Sequence, residues 1–513
     1  MPLPFPGVAA ARPNSGCEVV AARTCCRCTS GLSGRGPAFH ASEVTRMKHP
    51  LRHVWGRLLL AGALTTGLLA CQGRQGLRSE DSEKVTVLRG VRVIDGRGGA
   101  PLENAAVVIQ GTTLQRVGPV DEVEVPASAT VIELPGRTVL PGLISNHSHL
   151  GMTRGTDSGG QNYQRDNIAR QLTQWESYGV TTVTSLGLNT PLIYELQKEV
   201  EQGTLPGASI LSGDQGIGVP EGAPPMKVVE HQLYRPATPD EARQDVRETA
   251  SRHPAFVKVW VDDFGGTVKN KMTPEVYTAV IDEAHRQGLR VAAHIHDLED
   301  AKRLVAAGVD VLAHGVRDME VDAELVDAMK ARGTWYIPTL GLNESFYIYA
   351  EGPAWMADPF FRRALSPDLA RQLDDPAWRA SVLEDGKTAP VNKKALTINL
   401  KNVKTLHDAG VRIGFGTDSG ATPVRIPGFA EHRELKLLTE AGLTPLQAIR
   451  LATANAAELL GLKDRGVIEA GRRADLVVVQ GDPSTSIDDL SRIESVWHRG
   501  KQVPGPTSAP AQE

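Results

Sequence analysis

The chain has 513 residues, of which 41% are hydrophobic and 23% charged, and its formal net charge is −4. This composition is typical of a soluble globular protein, and the length allows one large catalytic domain and a smaller one. The mildly acidic balance gives no support for nucleic-acid binding, so we expect a small-molecule substrate.

The first part of the chain, residues 1–46, differs from the rest in composition. It contains four of the five cysteines and shows neither helical nor strand periodicity. The spacing of Cys25, Cys26 and Cys28 is poor for tetrahedral zinc ligation. We interpret residues 1–46 as a disordered or untranslated leader and expect the protein to start at Met47.

Residues 47–71 have the pattern of a secretory signal peptide. Basic residues precede an apolar stretch, residues 58–70, which is too short to span a bilayer comfortably. The stretch closes with Leu-Leu-Ala-Cys, which resembles the lipobox of bacterial lipoproteins. The resemblance implies that Cys71 is lipidated, becomes the mature N-terminus and anchors the protein to a membrane. The alternative is an ordinary signal peptide with an incidental cysteine.

The residues after Cys71 indicate a compartment. Gln72 follows, and by the sorting rule of that lipoprotein class it favours the outer membrane, with the protein facing the periplasm. No cysteine occurs after Cys71, which fits an oxidising compartment and excludes thiolate ligands. The polar residues 72–83 are expected to form a tether.

Short alternating strands are predicted near both ends of the remaining chain. Residues 84–136 contain several, separated by Gly and Asp turn residues, and residues 464–503 contain matching ones. We expect these two pieces to form one small β-sandwich domain that brackets the middle of the chain. Residues 504–513 are expected to be a tail.

The middle of the chain, residues 137–463, has the repeating β-α pattern of a (β/α)₈ TIM barrel. Helical patterns separate the apolar strands, the clearest starting at Thr273-Pro274 and another ending at Gly308. An open doubly wound sheet is the alternative. The eight predicted strands are residues 138–147, 180–186, 208–212, 256–260, 289–294, 309–314, 335–339 and 411–417.

One long segment interrupts this rhythm. Residues 341–395 lie between the seventh and eighth predicted strands and are rich in aromatic residues. They are too long for a simple connection. A helical excursion packed on the barrel wall and a substrate lid are both consistent with the sequence.

Metal-capable residues recur where the predicted strands end. The first strand runs into His147 and His149, whose side chains face the same way because strand residues alternate with period two. Later strands end at His294, His314 and Asp418. The carboxyl ends of barrel strands meet at one mouth, and His and Asp ligands suit Zn²⁺ or a similar ion.

Lys258 is an unusual residue within the fourth predicted strand. An ammonium group inside an apolar strand needs a partner or a lowered pKa. A neutral amine beside a metal could capture CO₂ and become a carbamate that bridges two metals. The alternatives are a salt bridge with Asp262 or Asp263, or an uncarboxylated lysine beside a single metal.

These motifs together resemble the metal-dependent amidohydrolase superfamily, in particular its imidazolonepropionase-like and carboxylated-lysine prolidase branch. The resemblance covers residues 84–503. It is carried by Pro-Gly-Leu-Ile before the H-x-H pair, Ala-Ala-His at 292–294, Ala-His-Gly at 313–315, Gly-Thr-Asp at 416–418, and Leu-Ala-Thr-Ala-Asn at 451–455. It departs at Ser145, where the family usually has Asp.

The resemblance implies a role for each matching residue. His147 and His149 would bind a first metal, His294 and His314 a second, and carboxylated Lys258 would bridge two Zn²⁺ ions. Asp418 would bind metal and accept the proton of the attacking water. Ser145 could still hydrogen-bond behind the first pair.

Two other polar residues near the predicted site each allow two interpretations. His296 could contact substrate or be solvated, and Arg317 could meet an anionic substrate group or lie at the surface. We assign no role to four further histidines, His231, His253, His285 and His498.

The sequence therefore predicts a metal-dependent hydrolase that attacks a C–N bond of an amide or dipeptide. Deamination, or lactone or ester hydrolysis, by the same site is the close alternative. A metal-retaining binding lipoprotein without turnover is the alternative from another class. Asp418 favours an enzyme, because a binding protein needs no base beside its metal.

Overall fold

A computed structural model describes residues 84–506. The predictions for the leader, the signal peptide, Cys71, the tether and residues 507–513 lie outside this range. Within it, no helix is both long and apolar enough to cross a membrane. The strands are β1 (Val85–Val93), β2 (Leu102–Gln110), β3 (Thr113–Pro119), β4 (Thr130–Glu133), β5 (Arg137–Pro141), β6 (Leu143–Ser148), β7 (Thr153–Arg154), β8 (Asp157–Ser158), β9 (Val180–Ser185), β10 (Ser209–Ser212), β11 (Val257–Trp260), β12 (Val291–His294), β13 (Val311–Ala313), β14 (Trp335–Ile337), β15 (Leu476–Gln480), β16 (Ile493–His498) and β17 (Lys501–Pro504).

Helices alternate with the strands from β8 to β14, and the helices after β14 follow one another up to β15. A π-helical turn, Leu451–Asn455, lies between the last two, and short 3₁₀ turns occur at Gly160–Asn162, Ala354–Ala357 and Ile487–Ser491. The α-helices are α1 (Arg165–Ser177), α2 (Leu192–Gln202), α3 (Pro239–Ala250), α4 (Pro274–Arg286), α5 (Leu298–Ala307), α6 (Ala323–Arg332), α7 (Gly341–Glu344), α8 (Ile348–Glu351), α9 (Pro359–Arg362), α10 (Pro367–Asp374), α11 (Pro376–Glu384), α12 (Thr388–Asp408), α13 (Phe429–Glu440), α14 (Pro445–Arg450) and α15 (Ala456–Leu460).

Two of these helices begin or end where the sequence predicts. Helix α4 starts at Pro274 after Thr273, because proline presets the helical φ angle and its missing N–H is not needed in the first turn. Helix α5 ends at Gly308, which adopts a left-handed φ of 96°.

One sheet joins strands from both ends of the described range. Its order is β17-β16-β15-β5-β1-β2-β3, with β4 paired to β1. The two ends meet where β15 runs antiparallel to β5, with Val478 opposite Val139. Both valines are fully buried in one apolar cluster with Leu88 and Val107. The strands that precede and follow the central β-α region are thus tied together by a shared core.

The first predicted barrel strand is two strands in the structure. The chain leaves the terminal sheet at Gly142, whose N–H donates to the carbonyl of Asp475, while the next N–H, of Leu143, donates to Gly179. A Cβ on Gly142 would collide with the side chain of Thr181, so only glycine fits. The prediction of one continuous strand over residues 138–147 is wrong because the chain changes sheets at this glycine.

The central strands are parallel and form two groups, β10-β9-β6 and β11-β12-β13-β14. Parallel strands covered by helices are buried on both faces, which explains their continuous apolar sequences. Isolated parallel bridges extend these groups at Ile217–Val259, Tyr336–Ile413 and Ser148–Ser419. This α/β arrangement brings the carboxyl ends of the strands to one side.

The predicted eighth strand, residues 411–417, is not a regular strand. Single bridges at Ile413 and Ser419, and a backbone hydrogen bond from the N–H of Asn146 to the carbonyl of Phe415, connect this part of the chain to its neighbours. The side-chain oxygen of Asn146 accepts the N–H of Phe415, where a regular ladder would use a backbone carbonyl. The prediction of a regular strand is wrong, because a side chain takes one position of the backbone ladder.

The long segment of residues 341–395 is helical and contains helices α7 to α11 and the start of α12. Its aromatic rings pack together, with the rings of Tyr349 and Phe361 stacked at 5.7 Å. The carbonyl of Phe360 accepts the hydroxyl hydrogen of Tyr178, at 2.6 Å, which fixes the segment beside the end of α1. The structure therefore shows a packed helical excursion, and a lid movement stays a prediction.

Candidate active site

The carboxyl ends of the parallel strands bring four predicted histidines together in the interior. His147 lies near the end of β6, His294 ends β12, and His314 follows β13. The ring centroid of His314 is 4.5 Å from that of His147 and 4.4 Å from that of His294. His149 lies 5.6 Å from His147, and all four side chains are buried.

Asp418 places a carboxylate against the histidines of β6. Its Oδ1 lies 3.3 Å from Nε2 of His147 and 3.0 Å from Nε2 of His149. Ligand atoms of His147, His314 and Asp418 all lie within 4.8 Å of one another. Asp418 has a left-handed φ of 59°, a strained conformation of the kind that clusters at functional sites.

The two remaining histidines are turned toward other partners in this structure. Nε2 of His294 is 2.8 Å from Oδ2 of Asp262, and Phe264 stacks on its ring at 5.1 Å. Nδ1 of His314 is 2.9 Å from the Thr339 hydroxyl, which leaves Nε2 for a ligand role. His294 is near the group formed by His147, His314 and Asp418 but outside it.

Lys258 lies at the base of the site with no exposed surface. Its Nζ has no hydrogen-bond partner among the described residues and sits 5.4 Å from the ring centroid of Trp260. Burial lowers the pKa of Lys258 to about 7. Asp262, considered above as a partner of Lys258, pairs with His294 instead.

Burial and charge set the ionisation of the site. Burial lowers the pKa of His147 to about 3 and that of His294 to about 4, so both imidazoles are neutral at pH 7. Burial alone would raise the pKa of Asp418, but the Arg425 guanidinium and the imidazoles beside it hold that pKa well below its usual range. Neutral imidazoles around an ionised carboxylate result.

Two residues that support Asp418 were not found from the sequence. Arg425 forms a buried ion pair with Oδ2 of Asp418. Oε1 of Glu431, on α13, accepts hydrogen bonds from the hydroxyls of Thr417 at 2.8 Å and Ser419 at 2.6 Å, the two neighbours of Asp418. The hydroxyl residues on either side of Asp418 were the one sequence signal that a hydrogen-bond acceptor lies nearby. Their spacing does not identify Glu431 as that acceptor.

Two other predicted polar residues lie apart from the metal-capable group. The hydroxyl of Ser145 is 2.9 Å from that of Ser148, and within residues 84–506 it makes no hydrogen bond to an imidazole. His296 is partly exposed and pairs with Asp297 at 2.8 Å. Of the histidines without an assigned role, His498 is buried and lies 2.6 Å from Glu176, between β16 and α1.

The sequence and this geometry match a known protein family. The model of the Amidohydrolase family matches residues 138–503, well over half of the chain. The chain belongs to the amidohydrolase family. The superfamily resemblance seen in the sequence is confirmed. Members of this family generally use a divalent metal.

Two relatives and one solved structure illustrate this similarity. Ochratoxinase of Aspergillus niger is 25% identical over 495 residues, covering 85% of this chain and 90% of that protein. The 5-methylthioadenosine/S-adenosylhomocysteine deaminase of Bacillus cereus (strain 03BB102) is 25% identical over 381 residues, covering 69% and 75%. A crystal structure of a Xaa-Pro dipeptidase with bound methionine in the active site has a TM-score of 0.65 at 24% identity, covering 82% and 100%. The family match and these similarities show that the chain has a TIM-barrel-like α/β fold and is an enzyme.

Unpaired buried atoms show that the site fits a divalent metal. Among the described residues, Nδ1 and Nε2 of His147 and Nδ1 of His149 have no hydrogen-bond partner, although Nε2 of His147 is close to Asp418. Leaving a buried polar atom unpaired costs about 1–3 kcal/mol, so such atoms are rare. Neutral imidazole nitrogens beside a carboxylate are ligands that Zn²⁺ and similar ions bind.

Removing a histidine of this group should reduce metal binding. We expect His147→Ala to contain less divalent metal per chain than the wild type after expression in zinc-supplemented medium, measured by elemental mass spectrometry. His285→Ala is the matched control, because His285 lies on the outer side of α4 and pairs with Asp310 at 2.9 Å. Wild-type metal content in His147→Ala would contradict the assignment.

Proposed function

We propose that the protein is a divalent-metal hydrolase that cleaves C–N bonds of amides, with dipeptides as the first substrates to test. The observation that carries this proposal is the ionised, buried carboxylate of Asp418 within 3.3 Å of two buried imidazole nitrogens. The names of the relatives, a dipeptidase and a deaminase among them, support a C–N bond as the target.

His147, His149, His314 and Asp418 are the residues that would hold the metal, with His294 and Lys258 completing a second position if two ions bind. A bound ion would supply Lewis acidity, which polarises a carbonyl and makes water more acidic. Burial lowers the pKa of His147, His294 and His314, which keeps their lone pairs free of protons, as ligation requires.

Asp418 is positioned to move the proton that hydrolysis requires. Its Oδ2 is committed to Arg425, so Oδ1 is the oxygen available to take a proton from water and pass it to the leaving nitrogen. Glu431 fixes the residues on either side of Asp418 and thereby limits its movement. The carboxylate therefore meets the reacting atoms in one orientation.

The Asp418→Asn variant tests whether this carboxylate transfers the proton. Proton transfer by a positioned side chain contributes about 10²–10⁴-fold, so we expect a loss of that size in kcat, with at least one metal still bound. The assay is a panel of dipeptides, N-acyl amino acids, esters, lactones and aminopurines.

The matched control is Asp408→Asn, at the exposed end of α12, which should leave the rate unchanged. If esters or lactones are hydrolysed and amides are not, the protein is an ester or lactone hydrolase. If only aminopurines react, it is a deaminase. No turnover by metal-loaded wild type would favour a metal-retaining binding protein.

We also propose that Lys258 is carboxylated and bridges two metals, probed first with Zn²⁺. Its neutral amine would attack CO₂, forming an N–C bond and releasing one proton to solvent, which yields an anionic carbamate. Complete burial without a hydrogen-bond partner supports this assignment, since a free ammonium in that position would be unstable.

Replacing Lys258 tests the bridge through metal stoichiometry. We expect Lys258→Ala to bind less metal than the wild type and to regain part of its activity when short carboxylates such as acetate are added. Lys436→Ala, at the surface of α13, is the control and should match the wild type. If Lys258→Ala still binds two metals, the carbamate bridge is not required for metal binding and the proposal is wrong.

Two structural predictions extend this proposal. The bridges at Ile217–Val259, Tyr336–Ile413 and Ser148–Ser419 support closure of the central strands into one barrel. The composite β domain, residues 84–136 with 464–503, would be a β-sandwich beside the barrel of residues 137–463. The bridge between Thr113 and Arg473 supports a domain built from these two parts of the chain.

We propose finally that the enzyme is anchored to the outer membrane by lipid on Cys71 and faces the periplasm. The lipobox resemblance and Gln72 support this localisation. We expect Cys71→Ala expressed in a bacterial host to lose incorporation of labelled palmitate and to leave the membrane fraction, whereas the wild type keeps both. Palmitate labelling of Cys71→Ala would contradict the anchor.

A further inference from the structure

One cation near the active site lacks a partner. Arg317 is 5% exposed, and its Nε and Nη1 are buried without hydrogen-bond partners within residues 84–506. A guanidinium cannot give up its proton at physiological pH, so its charge stays in the protein interior. A buried, unpaired charge is costly, and proteins retain one mainly where it has a function.

Arg317 lies close enough to the site for its charge to act there. Arg317 follows His314 by three residues, and its backbone N–H donates to the carbonyl of His296, two residues beyond His294. Burial lowers the pKa of Arg317, while the negative charges of Asp262 and Asp418 raise it. The guanidinium is therefore within electrostatic range of both ends of the candidate active site.

The carboxylates that act on Arg317 are already engaged elsewhere. Asp262 accepts from the backbone N–H of Phe264 at 2.8 Å and pairs with His294. Asp418 forms its ion pair with Arg425. Neither carboxylate lies within ion-pair distance of Arg317 among the described residues, so the cation remains available for another anion.

The backbone that carries Arg317 is held firmly. The N–H of Val316 donates to the hydroxyl of Tyr336 at 2.8 Å, and the carbonyl of Val316 accepts from Asn402 at 3.0 Å. The N–H of Arg317 itself donates to the carbonyl of His296 at 3.0 Å. Because the backbone at Arg317 is fixed in this way, only the side chain loses freedom when it binds a carboxylate.

We propose that Arg317 binds a carboxylate of the substrate and makes the enzyme specific for amides that carry a free carboxylate, such as dipeptides and N-acyl amino acids. The planar fork of arginine suits two parallel hydrogen bonds to a carboxylate. Arg425 does not serve this purpose, because Asp418 neutralises it. This inference rests on the proposed amide hydrolysis and names its substrate class.

Matched substrates and variants test this specificity. For a hydrolysed dipeptide and its C-terminal amide, the wild type should prefer the free acid. Removing one partner of a buried charge pair typically weakens binding by about 30-fold to 1,000-fold. Arg317→Gln should therefore lower kcat/KM for the acid by that factor, mainly through KM, and change kcat/KM for the amide by less than about threefold.

Two controls separate specificity from a structural role. Arg116→Gln, on the exposed face of β3, should leave both substrates unaffected. Arg317→Met removes an unpaired buried charge, so its apparent melting temperature should equal or exceed that of the wild type. A marked fall in that temperature, or an equal loss for the acid and the amide, would overturn the proposal.

Direct binding keeps this test independent of turnover. With N-acetyl-leucine and its neutral amide as probes, isothermal titration calorimetry of the metal-loaded wild type should detect the acid preferentially, and Arg317→Gln should lose that preference. If no substrate is hydrolysed but the acid is still bound preferentially, the proposed function is refuted while carboxylate binding by Arg317 is supported. Equal binding of the acid by the wild type and Arg317→Gln would overturn the proposal that Arg317 binds the carboxylate.

Discussion

The backbone hydrogen bonds between β6 and residues 415–419 determine the geometry of the whole site. The carbonyl of His147 accepts the N–H groups of both Thr417 and Asp418, at 3.1 and 2.9 Å. A Cβ on Gly416 would lie 2.7 Å from the backbone nitrogen of His147, so the approach requires glycine. This contact brings one carboxylate to two imidazoles although they are distant in sequence. The left-handed φ of Asp418, which costs about 1 kcal/mol or more, is the strain that the contact imposes.

The interior of the site contains several charges, and most of them have a defined partner. Asp418 pairs with Arg425, Asp262 pairs with His294, and Glu431 accepts hydrogen bonds from hydroxyl groups. Paired or hydrogen-bonded charges are tolerated because the desolvation cost is offset. Lys258 and Arg317 are the exceptions within this group. Conversion to the proposed carbamate would remove the ammonium of Lys258, and the substrate carboxylate would pair with the guanidinium of Arg317.

Local sequence patterns predicted the parts of the site that depend on strand ends. The H-x-H pair, His294 and His314 follow apolar strands, and parallel strands end on the same side whatever their exact register. Helix starts such as Thr273-Pro274 were equally readable, because capping depends on adjacent residues. Matching strand patterns also predicted one β unit from residues 84–136 and 464–503, but β5, which pairs with β15, was predicted as the start of the barrel.

The remaining features depend on long-range contacts that no local pattern contains. The irregular segment of residues 411–417 follows from a side-chain hydrogen bond of Asn146 across the sheet. The pairing of Asp262 with His294, and the support that Glu431 gives Asp418, join residues whose separation in sequence carries no periodic signal. The sequence singled out Ser145, but its hydrogen-bond partner, Ser148, required the structure.

The central claim is that these converging side chains form a metal centre. A crystal structure of the zinc-loaded enzyme, with data collected on both sides of the zinc absorption edge, tests this claim most directly. The account predicts anomalous density in contact with His147, His149 and Asp418. Zinc density located only at the surface, with those side chains unchanged and unliganded, would contradict it.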